Sequence, residues 1–329
     1  MSRAYKHVDV FTSIPYLGNA LAVVLDGEGL DAATMAGIAN WTNLAETAFL
    51  FPPTDPGADY KVRIFTTTTE LPFAGHPTLG AAHAWLEAGG RPRNEGRIVQ
   101  ECGAGLIELR VQDSPVDGTS AQLAFKAPPL VRTGPLEDDV LEWAISGLGI
   151  TARDVLAHQW LANGPTWAGL VLRDADLVLA LEPDFATLAG LEVGVIGAYD
   201  SQGIASGTYG PKGSAPRAPG TIAELQPLNE EDTFRSTEHF RNVVSGAPAD
   251  FEVRAFIAGE GLPEDPATGS LNAGFGIWLT EAGLAPDTYT VRQGTRLGRA
   301  ARIDVLRDDS GVWICGDTVT CVDGFIYAG

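Results

Sequence analysis

Two stretches of this chain are versions of one another, and that kinship constrains the fold more than any other feature. The first, YKVRIFTTTTELPFAGHPTLGAAHAWLEAGG, begins at Tyr60; the second, FEVRAFIAGEGLPEDPATGSLNAGFGIWLTEAG, begins at Phe251. Each runs from an aromatic residue through Val-Arg to a Phe and turns at Leu-Pro among small residues. Each then closes on a segment carrying Trp-Leu and Glu-Ala-Gly. Solenoid repeats recur every 20–50 residues or so, and this pair is spaced far more widely. It predicts two related lobes, each with a strand leading into one helix.

The two helical segments are informative in themselves. A surface helix keeps a polar face. PTLGAAHAWLEAG offers only His83 and Glu87 as strongly polar side chains, and SLNAGFGIWLTEAG only Asn272, Thr280 and Glu281. Helices apolar nearly all round must be buried on most sides, and the neighbouring strands are rich in Val, Ile and Phe. The expected fold is α+β: two pseudo-symmetric lobes, each a curved, barrel-like, mostly antiparallel sheet wrapped around one central apolar helix. The divisions expected are 1–130 with its helix at 77–88, and 131–329 with its helix at 268–282, the last strands free to cross back to the first lobe. Helix N-termini carry partial positive charge and unpaired N–H donors. If both point inward, the cleft between the lobes becomes a site for a carboxylate.

The remaining elements follow from period and punctuation. KHVDVFTSIPYLGNALAVVLD reads as strand, turn, strand, with Pro15 and Gly18-Asn19 in the turn. A short helix follows, with Asp31 as its N-cap. TAFLF and DYKVRIFTT read as strands, and RIVQEC with GLIELRVQ as a hairpin. Pro77 falls in the first turn of its helix and Gly89-Gly90 end it. EDDVLEWAISGLGI reads as a helix; TWAGLVLRD, DLVLAL and EVGVIGAYD read as strands, as do RIDVLR, GVWICG and TVTCVDGFIY near the C-terminus. Ser201 to Pro227, rich in Gly, Ser, Ala and Pro, reads as a long surface loop.

Charge narrows the partners. The 329 residues are 45% apolar, enough for a substantial core, and carry 22 Lys and Arg against 42 Asp and Glu, a net charge of −20. So acidic a surface repels phosphate backbones and anionic membranes, so no nucleic-acid or membrane partner is expected. No apolar run reaches the roughly 18 residues of a transmembrane helix. MSRAYKHVDVF lacks the apolar core of a signal peptide, so the expected location is cytoplasmic. Cys102, Cys315 and Cys321 fit no zinc or redox spacing and read as small core residues of a reducing compartment. The five histidines form no metal-spaced cluster with them, so no metal is expected.

Three segments could carry chemistry. Glu46 sits in NLAETAFLF, flanked by apolar residues; desolvation would raise its pKa toward the range where a general acid/base works best. As a strand-end residue at the surface it would do nothing. His76, in AGHPT, could donate to a substrate or shuttle a proton, or could simply be bonded within its turn. Asp265, in EDPATGS, could hold a substrate polar group or cap the helix that follows. Gly75 and Thr78 at one helix mouth, and Thr268, Gly269 and Ser270 at the other, could offer N–H and O–H groups to an anion or merely build tight turns. Glu264 and Glu70 read as exposed turn residues. There is no G-x-S-x-G elbow, no G-x-G-x-x-G after a strand and no G-x-x-x-x-G-K-[ST]. Serine-hydrolase and nucleotide-fold readings therefore lack support.

Taken together, VDVFT with PYLGNALAVVLD, NLAETAFLF, FTTTTELPFAGHPTLGAA, GLPEDPATGS and VRQG with LGR occur in an order that resembles the phenazine-biosynthesis PhzF-like isomerase family, which shares its fold with diaminopimelate epimerase. ELPFAGHPT followed by EDPATGS is the most specific part. The resemblance implies a two-lobed fold with a helix inside each barrel-like lobe, commonly a homodimer. It also implies cofactor-free acid/base isomerisation of a small carboxylate-bearing substrate such as dihydro-hydroxyanthranilate, in secondary-metabolite biosynthesis. By the same resemblance Glu46 is the acid/base, His76 and Asp265 hold and polarise substrate, and Gly75, Gly269 and Ser270 contact it at the helix ends. Epimerase relatives place a cysteine at each helix mouth, whereas here the mouths carry His76-Pro77 and Gly269-Ser270, which disfavours two-thiol racemisation. Epimerisation by Glu46 with His76, and a non-catalytic scaffold, stay open as alternatives. Ala45 stands where the family usually has Ser, Ala20 where it usually has Pro, and the 201–227 segment is longer than the family norm. These departures bear on the substrate more than on the reaction type.

Overall fold

The structure is a computed structural model that describes residues 1–113, 121–200, 249–257 and 263–328. The first half runs β1 (Ser2–Val10), β2 (Asn19–Val24), α1 (Ala32–Thr42), β3 (Glu46–Phe51), β4 (Tyr60–Phe65), β5 (Glu70–Leu71), α2 (Gly75–Glu87), β6 (Arg97–Cys102), β7 (Gly105–Asp113) and β8 (Ala121–Lys126). The second half begins with α3 (Asp138–Leu148), then β9 (Val155–Ala162), β10 (Thr166–Leu172), α4 (Ala175–Ala180), β11 (Glu192–Ala198), β12 (Phe251–Ile257), β13 (Glu264–Asp265), α5 (Gly269–Glu281), β14 (Thr288–Gln293), β15 (Ala301–Asp308), β16 (Gly311–Gly316) and β17 (Thr318–Tyr327).

Strand pairing shows that the kinship seen in two segments extends to the topology of both halves. In the first, β1 pairs antiparallel with β2, β2 parallel with β3, β3 antiparallel with β4, β4 parallel with β6, and β6, β7 and β8 follow antiparallel. In the second, β9 to β10, β10 to β11, β11 to β12, β12 to β14, and β14 through β16 repeat the same sequence of senses. The two sets join where β8 pairs with β16, and β17 runs back along β1. Each set wraps one helix: α2 packs on β1, β2, β3, β6, β8 and β17, and α5 on β9, β10, β15 and β16. The fold is thus the expected α+β pair of curved, mostly antiparallel sheets, each around a central helix.

Both helices are as buried as their composition requires. Every residue from Gly75 to Ala82 is buried in α2, and every residue from Gly269 to Gly276 in α5. The two strongly polar residues of α2 leave the core together at its C-terminal end. Lys6 of β1 lies 3.1 Å from Glu87 and 2.8 Å from Asp323 of β17; Thr320 donates to Glu87 at 2.6 Å, and His83 lies 3.3 Å from it. Asp31 caps α1 as expected, accepting from the Thr34 N–H at 2.8 Å.

Two expectations are corrected. DLVLAL is not a strand: it lies mostly in α4, capped by Asp174, which accepts from the Leu177 N–H at 2.7 Å. Parallel neighbours need a crossover, and α4 fills the connection between β10 and β11 as α1 fills that between β2 and β3. Glu264 is not an exposed turn residue. It takes a bidentate pair from Arg254, at 2.9 and 2.7 Å, with both side chains near 5% exposed. The same pair, Arg63 with Glu70, recurs in the first lobe at 2.7 Å with 29% and 41% exposure. The difference is α4, whose Val178 and Leu181 carbonyls accept from the Arg254 guanidinium and cover that face.

Cys102 and Cys315 are buried and Cys321 only partly so; all three are free. Among the described residues no helix is long and apolar enough to cross a membrane, and no cluster of three or more His, Cys, Asp or Glu could hold a metal ion. The loop read at Ser201–Pro227 lies outside the described residues.

Candidate active site

The N-termini of α2 and α5 meet. A Cβ built on Gly75 would lie 2.9 Å from the Gly269 Cα, so the helices start backbone against backbone. The first N–H groups of a helix lack intrahelical partners and its dipole is positive there, so the junction favours negative charge.

Asp265 supplies that charge. The N-cap position of α5 is Thr268, which makes no side-chain cap, so Asp265 does not cap the helix. Its carboxylate instead accepts from the Thr268 hydroxyl at 2.6 Å and from the Asn19 amide at 2.8 Å. Burial pushes its pKa up, and these two hydrogen bonds pull back against the rise without cancelling it. Gln293 braces the turn: it accepts from the Thr268 N–H at 3.0 Å and from Asn272 at 2.9 Å, and donates to the Thr268 hydroxyl at 2.8 Å.

Asn19 reaches across from the first lobe, donating to Asp265 and to the Ala267 carbonyl at 2.9 Å. Its turn is held from both sides. Asp9 accepts from the Gly18 N–H at 3.0 Å, and Arg299 donates to the Tyr16 and Gly18 carbonyls at 3.1 and 3.3 Å.

Glu46 opens β3, directly after α1 ends on left-handed Asn43 and the Thr42 and Thr47 hydroxyls meet at 3.1 Å. Its Oε2 lies 3.6 Å from His76 Nε2, beyond hydrogen-bond distance. Both atoms are buried and neither has a partner. The Glu46 side chain keeps 16% of its surface exposed, that of His76 only 4%. Burial pushes the Glu46 carboxyl up to about 8, and the nearby Asp265 charge adds to the rise. Burial pushes His76 down to about 3, so the imidazole is neutral.

The structure therefore gathers Glu46, His76, Asp265, Gly75 and Gly269 at one place. Ser270 is buried beside them, its hydroxyl accepting from the Trp167 indole at 3.3 Å and its carbonyl from Asn163 at 2.9 Å. The Thr268 hydroxyl is spent on Asp265 and Gln293. That of Thr78 is spent on Ala74 and Gln100, at 2.9 and 3.0 Å. Sequence reasoning did not assign roles to Asn19 and Gln293; their signal was present in the GNA and VRQG segments, read only as motif text.

Strand register defines the symmetry copies. Thr47 faces Phe65 across β3 and β4, and Val193 faces Phe256 across β11 and β12, so Glu192 is the copy of Glu46. Leu71 faces Ile64 where Asp265 faces Ala255, so the copy of Asp265 is Leu71. With both helices 13 residues long, Ser270 is the copy of His76. Glu192 lines, with Trp160 and Thr166, a surface cavity of about 300 Å³ that includes none of Glu46, His76 and Asp265. Among the described residues, the Glu46, His76 and Asp265 set is asymmetric, assembled once at the junction of two similar halves.

Paired sheets around central helices bring Glu46, His76 and Asp265 together at the helix mouths, and relatives named as isomerases place this α+β chain among enzymes of the isomerase class. Residues 8–212 and 221–324 match the phenazine biosynthesis-like protein family, PhzC-PhzF, and the chain belongs to it. Among its relatives, the antisense-enhancing sequence 1 protein of Schizosaccharomyces pombe is 30% identical, over 98% of this chain and 97% of its own. The trans-2,3-dihydro-3-hydroxyanthranilate isomerase of Pseudomonas chlororaphis is 30% identical over 90% of this chain and 87% of its own. A predicted epimerase from Pseudomonas aeruginosa shares the fold, with a TM-score of 0.71 at 23% identity, covering 99% of this chain and 100% of that one.

Proposed function

We propose that this protein is a cofactor-independent isomerase that moves a proton on a small carboxylate-bearing metabolite, of the cyclic amino acid type, and thereby shifts a double bond. The observation that carries the proposal is the facing pair of partnerless buried atoms, Glu46 Oε2 and His76 Nε2. A buried polar atom without a partner costs about 1–3 kcal/mol, and at 3.6 Å the two face each other without bonding. A substrate seated beside them would satisfy both.

Its carboxylate sits at the paired helix N-termini. Glu46, with its pKa raised near the working pH, takes a proton from one substrate carbon. The electrons of that C–H bond become a new double bond, the existing double bond shifts, and Glu46 returns the proton to the far carbon. Nothing is oxidised or reduced. His76 and Asp265 hold and polarise the substrate's polar groups. The asymmetry of the site favours one mobile carrier over two opposed bases, because the copy of His76 is a serine and that of Asp265 a leucine.

The protein acts as a cytoplasmic homodimer in this reading. β17 pairs only with β1 among the described residues and exposes Phe325 and Tyr327 at 72% and 84%. An uncovered edge of that kind fits antiparallel pairing with a second copy about a two-fold axis, which light scattering would test.

The deciding experiment is turnover of trans-2,3-dihydro-3-hydroxyanthranilate in deuterated water. Isomerised product is expected from the wild type, and inversion at a single carbon would mark an epimerase instead. Glu46→Gln should lower proton exchange by about 10²–10⁴-fold while ligand binding persists. Near-normal turnover by that variant would sink the assignment.

A further inference from the structure

Asn19 Nδ2 faces three atoms: Asp265 Oδ1 at 2.8 Å, the Ala267 carbonyl at 2.9 Å and His76 Nδ1 at 3.4 Å. Turning the amide over would set its oxygen against a carboxylate and a carbonyl, with no proton among them. The NH₂ group must therefore face these atoms. It carries two hydrogens, and the two short contacts use both. If His76 Nδ1 also bore a proton, two N–H donors would meet head on with no acceptor between them. The ring proton of the neutral imidazole is thus on Nε2, the atom that lies 3.6 Å from Glu46 Oε2.

We infer that Asn19 is a positioning residue that holds His76 as its Nε2–H tautomer, so that the imidazole offers a proton donor, not a base, to Glu46 and to the substrate. A neutral Glu46 presents a carbonyl oxygen to that N–H. When Glu46 takes a proton from substrate, it starts as a carboxylate beside a donor, and the imidazole does not compete with it for the proton. The arrangement also ties the tautomer to the contact between the two halves, because both acceptors that consume the Asn19 hydrogens belong to the other lobe. The tautomer stands on geometry alone; its bearing on turnover rests on the isomerase reading.

The test is a spectroscopic one on the full-length protein, labelled with ¹⁵N in its five histidines. Two-bond correlations between the ring nitrogens and the carbon-bound ring protons distinguish the tautomers, and His76→Gln identifies which signals belong to His76. Wild type should show the Nε2–H form at neutral pH. Asn19→Asp puts an acceptor against Nδ1 and should convert His76 to the Nδ1–H form, with kcat falling by at least about tenfold and KM changing less. If Asn19→Asp fails to fold, Asn19→Ala should show a measurable Nδ1–H fraction. An Nδ1–H signal in the wild type would overturn the inference, as would a folded Asn19→Asp or Asn19→Ala protein that keeps the wild-type tautomer. The Nε2–H spectrum in a protein that turns over no carboxylate substrate would support the tautomer and sink the isomerase reading instead.

Discussion

Gly75 and Gly269 touch through their backbones: a Cβ on either would sit 2.9 Å from the other's Cα, and one on Gly75 would also lie 2.7 Å from the Phe125 ring. No side chain fits there. The contact brings two positive helix ends together, and the buried Asp265 carboxylate offsets their mutual repulsion.

Gly269→Ala should accordingly destabilise the protein by about 1–3 kcal/mol, the usual cost of overpacking a tight contact, and should weaken the Asn19–Asp265 bridge. Gly37 is the control. It lies exposed within α1 with nothing within 4 Å of a Cβ, so Gly37→Ala should stabilise by up to about 1 kcal/mol. Urea midpoints read both, and a neutral Gly269→Ala would refute the close approach.

The duplicated ion pair allows a paired comparison. Removing Arg254 as Arg254→Met leaves Glu264 buried and unpaired, and should cost about 3–5 kcal/mol. Arg63→Met breaks the same geometry in water and should cost no more than about 1 kcal/mol. Equal losses in denaturant titrations would show that burial by α4 is not what separates the two pairs.

Glu46 should make the protein less stable as pH rises. Its folded pKa, about 8, lies above the ordinary 4.5. Below 4.5 it is protonated in both states and its contribution is complete. Between 4.5 and 8 the unfolded chain releases the proton and the folded one keeps it, so stability falls until the folded carboxyl also ionises. Glu46→Gln should remove this slope, gaining on the order of 4 kcal/mol at pH 8 and little at pH 4. A constant difference between the two proteins across melting curves from pH 4 to 9 would contradict the raised value.

His76 should act in the opposite sense. Its folded pKa is about 3 against an ordinary 6.5. Stability is therefore complete above 6.5 and is lost as pH falls toward 3, where the unfolded imidazole binds a proton that the folded one refuses. His76→Gln should flatten the acid limb of the melting-temperature profile between those values, and an unchanged acid limb would show that other groups govern it.

Gln293 should matter beyond its own side chain. Gln293→Met leaves the Thr268 N–H and the Asn272 amide without their shared acceptor, at a cost of about 1–3 kcal/mol. A larger loss of ligand affinity than of stability would show that the brace sets the position of Asp265.

Local chemistry was legible in the chain itself. Two helices with almost no polar face could only be buried, and α2 and α5 are. Asp31 announced a cap because capping needs only residues three apart. The repeat announced two related lobes because related segments fold alike. Even the resemblance to the family rested on short contiguous motifs, and the family was found. DLVLAL was misread because a short apolar run fits a buried strand or a short helix equally well; only the parallel pairing of β10 with β11 decided for α4.

Tertiary structure decided whatever depends on distant partners. Nothing near Glu264 in sequence reveals that α4 covers its ion pair. Asn19 and Asp265 are 246 positions apart, and Glu46 meets His76 only because β3 belongs to the sheet that wraps α2. Burial and the charge of Asp265 raise the Glu46 carboxyl, and burial alone lowers the imidazole; both are properties of surroundings that no local segment contains. The residue types of the site were written along the chain, but their protonation states exist only where the two halves meet, because desolvation and Coulomb interaction act through space and not along sequence.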